Sequence, residues 1–150
     1  MSTLEIGEAT PEERLWAGRL MASSEPWVTL GRGEDACRAA ALDPDYVTLV
    51  ARAGGEPLGF ARLHPRGAVG SPYLASIAVV PAARSRGVGA ALLDAAEKRF
   101  AGARWIFLCV SSFNERARSL YERRGYRAAG ELPDYVVDGF AEILMVKRLP

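Results

Sequence analysis

Apolar and polar positions along the chain follow two different periods, and the change from one to the other predicts a mixed α/β architecture. Runs of alternating or continuous apolar residues, typical of strands, lie at residues 4–6, 46–52, 58–64, 73–80, 105–110, 126–131 and 141–149. Apolar residues every three or four positions are typical of helices, and four segments show this spacing. The first begins at Pro11, and the others lie at residues 34–42, 87–100 and 114–124. The predicted order is β-α-α-β-β-β-α-β-α-β-β, a mixed sheet with a parallel segment at its centre.

Turn and capping residues mark several boundaries of these elements. Thr10, Pro11 and Glu13 have the pattern of a capping box with proline at the first helical position. The glycine pair at 54–55 separates two strands and predicts an antiparallel hairpin. Residues 65–72, which begin and end with proline, are expected to form a loop.

Length and composition narrow the class of protein. The 150 residues suffice for one domain, residues 1–150, with a sizeable core. A net charge of +1 gives no bulk attraction to nucleic acid or membranes. No apolar run reaches the roughly 18 residues of a membrane span, and a signal-peptide pattern is missing. Two cysteines, Cys37 and Cys109, favour a reduced, cytoplasmic setting, and the single histidine argues against a metal site.

The most informative segment is residues 84–93, which follows an apolar strand and opens a helix. Gly87 and Gly89 leave backbone N–H groups uncovered in the first helical turn. Arg84 and Arg86 precede them, so the segment suits an anionic group and a diphosphate in particular. A Walker loop would need a lysine after Gly89. A Rossmann-like site for NAD stays an alternative, although leucine occupies its third glycine position.

Two motifs together resemble those of the GNAT acetyltransferase superfamily. The first reads Arg84-x-x-Gly87-x-Gly89, and the second reads Asn114-x-x-Ala117-x-x-Leu120-Tyr121-Glu122-x-x-Gly125-Tyr126. The resemblance covers about residues 4–149 and extends to the order of the elements. It implies the GNAT fold, in which the fourth and fifth strands splay apart, and it implies acetyl-CoA as co-substrate.

The resemblance also implies where the parts of acetyl-CoA would bind. The diphosphate would lie on one segment, formed by Arg84, Ser85, Arg86, Gly87, Val88, Gly89 and Ala90. The pantetheine arm would pair with the main chain of Ile77, Ala78 and Val79, in the gap between the splayed strands. One of those N–H groups would also polarise the thioester carbonyl.

Two residues of the second motif have implied roles. Asn114 would present its amide to the pantetheine, although helix capping alone also explains it. Tyr121 is the implied general acid, because a hydroxyl beside the sulfur can protonate the departing thiolate. An aromatic core position is the competing interpretation of Tyr121. The implied activity is transfer of an acetyl group to a primary amine by direct attack in a ternary complex.

The sequence has no obvious carboxylate base where members of the superfamily carry one. Cys109 stands where ribosomal-protein N-terminal acetylases have a glutamate, and residues 74–76 stand where histone-type members have theirs. The open alternatives are His64, Glu131, Asp134 and a water held by Ser76. A noncatalytic acyl-CoA-binding or sensing module therefore stays the alternative function.

The segment at residues 131–139, between the last two strands, is expected to overhang the acetyl end of the cleft. Its Glu131, Asp134 and Asp138 favour a cationic acceptor, either a small-molecule amine or a peptide or protein amine. A solvated acidic turn explains the same residues equally well. The resemblance leaves a homodimer open.

Overall fold

The structure is a computed structural model that describes residues 3–150, and its order of elements is the one predicted. These elements are β1 (Leu4–Glu8), α1 (Pro11–Ala22), α2 (Glu34–Leu42), β2 (Val47–Ala53), β3 (Glu56–Ala68), β4 (Ser71–Val79), α3 (Val88–Arg99), β5 (Trp105–Ser111), α4 (Glu115–Arg123), β6 (Arg127–Leu132) and β7 (Glu142–Arg148). A 3-10 turn, Pro81–Ala83, lies between β4 and α3.

The strands form one sheet in the order β1-β2-β3-β4-β5-β7-β6. β4 and β5 run parallel and the other neighbours run antiparallel, which confirms the predicted mixed sheet. On one face, Phe60 and Ala78 pack with α1 and α2. On the other face, Leu92 of α3 and Tyr121 of α4 belong to the larger core. None of the helices formed by residues 3–150 has the length and apolar character needed to cross a membrane.

The first helix begins as its sequence predicts. The Thr10 hydroxyl accepts the Glu13 N–H at 3.1 Å, and the Glu13 carboxylate accepts the Thr10 N–H at 2.9 Å. Glu13 also accepts a 2.6 Å hydrogen bond from Nε of Arg52 on β2. The Arg52 guanidinium lowers the pKa of Glu13 to about 2. One carboxylate therefore closes the helix start and joins α1 to the sheet.

The predicted loop at residues 65–72 is wrong, because β3 and β4 continue into it. β3 extends to Ala68 and β4 begins at Ser71, so the two strands form a long hairpin. Pairing between them is irregular from His64 to Ala68. Pro65 lies in this irregular stretch, which is where a strand tolerates a residue without an N–H. The sequence therefore located the break in pairing but not the strand that continues beyond it.

β4 and β5 pair only where they begin. The parallel register joins Tyr73 to Phe107 and Leu74 to Leu108, and it stops there. From Ala75 onward, the edge of β4 that faces β5 has no strand partner among residues 3–150. The predicted splay of the fourth and fifth strands is thus present, and it opens the sheet at its centre.

Candidate active site

A cleft of about 1270 Å³ opens where β4 and β5 separate. One half is bounded by the end of β4, the start of α3 and one face of α4. The other half is bounded by the segment between α1 and α2, by β3, and by Tyr135 and Val136 between β6 and β7. Ten predicted site residues line this cleft: Ile77, Ala78, Val79, Arg84, Ser85, Gly87, Gly89, Ala90, Asn114 and Tyr121.

The start of α3 presents unpaired backbone donors. Gly87 precedes the helix with a φ of +84°, and no side chain caps it. Within the helix, the N–H of Ala91 donates to the Gly87 carbonyl at 3.0 Å. The N–H groups of Val88, Gly89 and Ala90 therefore have no acceptor among residues 3–150, and they lie at the positive end of the helix dipole. This arrangement can bind an anion.

Arginine side chains supply positive charge beside these donors. Nε of Arg84 donates to the Val79 carbonyl at 3.0 Å, which holds Arg84 against the end of β4. Arg116 of α4 contacts the Ser85 hydroxyl. Arg123 lies two helical turns further along α4 and lines the same cleft. The sequence analysis did not single out Arg116 or Arg123, although their spacing places them on one helix face.

In the predicted diphosphate-binding segment, the side chains of two residues do not line the cleft. Arg86 is exposed and lies outside the cleft wall. The side chain of Val88 is buried in the core, so only its backbone N–H is available to a ligand. The positive charge beside the start of α3 therefore comes from Arg84 and from α4 rather than from Arg86.

The free edge of β4 presents main-chain groups to the gap. The Val80 N–H donates to the Leu58 carbonyl on β3 at 2.8 Å. Because successive residues of a strand present their N–H and C=O groups to opposite edges, those of Val79 and Ile77 point away from β3, toward the gap. These are the two residues whose main chain the resemblance assigns to the pantetheine arm, and that role stays a prediction.

α4 contributes Asn114 and Tyr121 to the cleft wall. The Asn114 side chain accepts the Ala117 N–H at 3.4 Å and so caps the helix, while its amide N–H₂ has no acceptor among residues 3–150. Tyr121 is 5% exposed, and burial raises the pKa of its hydroxyl. It is both a core residue and a cleft residue, so the two interpretations of Tyr121 coexist. A hydroxyl with a raised pKa stays protonated and able to donate.

Three of the four candidate bases lie away from the cleft. His64 accepts the Arg66 N–H at 3.0 Å and packs edge-on against Tyr46. Asp134 accepts the Gly139 N–H, and Glu131 is exposed on β6. The acidic residues of the 131–139 segment therefore do not line the cleft, although the segment overhangs it. Of the four, only Ser76 faces the cleft.

Glu142, at the start of β7, is a carboxylate that the sequence analysis missed. It lines the cleft and accepts a 2.6 Å hydrogen bond from the Ser111 hydroxyl at the end of β5. The sequence shows only a charged residue directly before the apolar run Ile143–Val146, and the neighbouring Ser111 is brought beside it by strand pairing. A carboxylate held in this way can accept a proton from a bound amine.

Cys109 and Tyr73 lie beside Glu142 in the same wall. Burial raises the pKa of the Cys109 thiol, and burial likewise raises the pKa of the Tyr73 hydroxyl. A thiol that stays protonated is a poor nucleophile, which disfavours a covalent acetyl-cysteine intermediate. Both residues therefore act as polar but uncharged parts of the wall.

Known proteins resemble this chain in sequence and in fold. The Acetyltransferase (GNAT) family matches residues 12–126. An uncharacterised N-acetyltransferase of Methanocaldococcus jannaschii is 39% identical over 84 residues, which are 54% of this chain and 54% of that protein. One of Bacillus subtilis is 39% identical over 103 residues, 63% of this chain and 68% of that protein. The match thus spans about half the length of the first relative.

An aminoglycoside 6'-N-acetyltransferase crystallised with coenzyme A has a similar fold, with a TM-score of 0.79 over 97% of this chain and 98% of that one. Its sequence identity is 20%, so this likeness concerns the fold alone. The sequence match to the family is independent of it and covers more than half of the chain. This sequence match, together with the splayed strands and the open start of α3, shows that the chain belongs to the GNAT acetyltransferase family.

Proposed function

We propose that the protein is an N-acetyltransferase that transfers the acetyl group of acetyl-CoA to a primary amine by direct attack in a ternary complex. The observation that carries this proposal is the meeting, in one cleft, of the uncapped start of α3 and the unpaired edge of β4. The first suits a diphosphate, and the second suits an extended arm that carries amides.

Acetyl-CoA would bind with its diphosphate on the N–H groups of Val88, Gly89 and Ala90. The guanidinium groups of Arg84 and Arg116 would add charge-assisted hydrogen bonds. The pantetheine arm would extend along β4 toward Ile77. The Asn114 amide would lie on the side of the arm that faces away from β4. The thioester would then lie toward Glu142 of β7.

The accepting amine must lose a proton to attack, because a typical aliphatic ammonium has a pKa of about 10.4. In the proposal, Glu142 accepts that proton, directly or through a water, while Ser111 holds the carboxylate in place. Glu142 would thus be the carboxylate base that the sequence motifs lack. This removes the main reason for favouring a noncatalytic acyl-CoA-binding module.

The amine nitrogen then forms a bond to the thioester carbon, and the carbonyl electrons move onto oxygen. A main-chain N–H of Ile77 or Val79 would stabilise this oxyanion. When the intermediate collapses, the carbon–sulfur bond breaks and the electron pair leaves with sulfur. Tyr121 would donate its proton toward the departing thiolate, and the second proton that the amine nitrogen releases on becoming an amide would return to Tyr121 through solvent. The products are the N-acetylated amine and free coenzyme A.

Two measurements test this proposal. Calorimetry should show acetyl-CoA binding and no comparable binding of NAD, which separates the GNAT site from a Rossmann-like one. A thiol-release assay with acetyl-CoA and a panel of amines should then show coenzyme A formed only when a suitable amine is present. Saturable acetyl-CoA binding without thiol release for any amine class would instead indicate a sensing module.

A further inference from the structure

The acceptor half of the cleft contains a partly buried arginine. Arg62 lies on β3 and lines the cleft beside β4. Its guanidinium carbon stands 4.2 Å from the centroid of the Tyr46 ring. Burial lowers the pKa of Arg62, but a guanidinium remains charged at neutral pH. A permanent positive charge therefore lies where the acceptor, and not acetyl-CoA, would bind.

The protein satisfies only part of this guanidinium. Nη1 donates to the Ala40 carbonyl at 3.1 Å, and Nε donates to the Ser76 hydroxyl at 3.4 Å. Nη2 makes no hydrogen bond of suitable geometry to residues 3–150 and is not sealed from solvent, although the Tyr46 side chain is close enough to favour the charged guanidinium. Within the same residues, no carboxylate forms an ion pair with Arg62, and Asp43 acts on it only from a greater distance.

A second arginine and the reacting centre are close by. Arg32, from the segment between α1 and α2, lines the same half of the cleft, and both arginines act electrostatically on Cys37. Arg62 is paired in register with Ser76, which directly precedes Ile77. A group bound by Arg62 would thus stand only a short distance from the thioester.

We propose that the acceptor is a primary amine that also bears an anionic oxygen group, a carboxylate or a phosphate, which binds Arg62. The arginine fork matches the geometry of both groups, and burial under Tyr46 strengthens the pairing. This inference rests on the proposed acetyltransferase function and adds the acceptor class. It replaces the expectation of a purely cationic acceptor, because the acidic residues behind that expectation do not line the cleft.

The test compares amines that differ only in the anionic group. β-Alanine, its amide and 2-aminoethylphosphonate, which all have two methylenes between the amine and the varied group, are offered with acetyl-CoA, and coenzyme A release is followed. We expect kcat/KM for at least one of the two anionic amines to exceed that for the amide by roughly 10- to 100-fold. The comparison of carboxylate with phosphonate identifies which anion the site prefers. Equal or higher kcat/KM for the amide would overturn the inference while leaving the acetyltransferase function intact.

Variants connect the preference to Arg62. Arg62→Gln should raise KM for the preferred anionic amine by roughly 10- to 100-fold and leave the affinity for acetyl-CoA unchanged. Arg66→Gln, an exposed arginine on the same strand outside the cleft, is the matched control and should change neither. An unchanged preference in a folded Arg62→Gln protein would contradict the proposal.

Binding measurements keep the two proposals separate. Calorimetry of the coenzyme A-loaded protein with each of the three amines gives an affinity that needs no turnover. If no amine reacts but an anionic one binds through Arg62, the catalytic proposal fails and the anion site stands. If no anionic amine binds better than the amide, the anion site fails regardless of turnover.

Discussion

The Ser111 hydroxyl donates a 2.6 Å hydrogen bond to the Glu142 carboxylate, across the neighbouring strands β5 and β7. Ser111 is fully buried, so the bond fixes one carboxylate oxygen and leaves the other for the cleft. Glu142 thus presents a carboxylate to the cleft at the strand pair next to the gap between β4 and β5. The hydrogen bond from Ser111 is the observation on which the proposed base depends.

Replacing Glu142 by glutamine should remove the proton acceptor and keep the shape of the wall. We expect kcat to fall by roughly 100-fold or more at pH 7, with the affinity for acetyl-CoA unchanged. Glu131→Gln, on the adjacent strand and exposed, is the control and should retain full activity. Steady-state kinetics and calorimetry on both variants check this. Unaltered kcat in Glu142→Gln would assign the base elsewhere.

Tyr121→Phe should remove the donor to the departing sulfur. Since the ring stays in the core beside Tyr126, we expect the fold to persist and kcat to drop by roughly 10- to 100-fold. Tyr126→Phe is the matched control: its hydroxyl donates to Glu97 at 3.1 Å, outside the cleft. For Tyr126→Phe, we expect the free energy of unfolding to fall by about 1 kcal/mol and the activity to stay at the wild-type level. Equal kinetics for the two variants would exclude Tyr121 as the acid.

The sequence predicted those parts of the site whose signal is local. The turn before α3 needs only glycines and the strand-to-helix change around them, so Gly87 and Gly89 could be recognised as a candidate phosphate site without any tertiary contact. The capping box formed by Thr10 and Glu13 could also be predicted, because this motif is complete within four residues. The order of the helices and strands could be predicted for the same reason, because the hydrophobic periodicity of each element lies within its own segment.

Residues whose place in the cleft depends on distant strand pairing could not be predicted. Glu142 and Arg62 gain their position from strand register, which brings the first next to Ser111 and the second next to Ser76. In the sequence, each is one charged residue at a strand position, and nothing nearby distinguishes it from a solvated one. The acidic residues of the 131–139 segment led to the opposite error. They form a local cluster in the sequence that suggested a site for a cationic acceptor, but in the fold they do not line the cleft.

Gly87→Ala should destabilise the protein through backbone strain. A left-handed φ of +84° costs a residue with a Cβ about 1–2 kcal/mol, although the added Cβ would meet no atom within 4 Å. Gly33 is a matched control: it also precedes a helix and its Cβ would also be free, but its φ is −79°. Thermal denaturation should show a clearly lower Tm for Gly87→Ala than for Gly33→Ala. Similar Tm values would mean that the turn relaxes to accommodate alanine.

The Glu13–Arg52 pair should make stability depend on pH in the acid range. Because Arg52 lowers the pKa of Glu13 from 4.5 to about 2, the folded state holds the carboxylate charged where the unfolded state has begun to protonate it. This contribution is complete above the unfolded pKa and is lost as the pH falls through about 2. Glu13→Gln keeps the N-terminal hydrogen bond of α1, since glutamine also serves in a capping box, but it loses the charge.

We therefore expect wild type to be more stable than Glu13→Gln at pH 7 and the difference to shrink steadily between about pH 5 and pH 2. Glu12→Gln, at an exposed position of the same helical turn, controls for the general effect of removing one carboxylate. Urea unfolding at several pH values gives the two differences directly. If the Glu13 and Glu12 variants follow the same pH profile, the pair with Arg52 contributes nothing specific, and the attachment of α1 to the sheet depends on apolar packing alone.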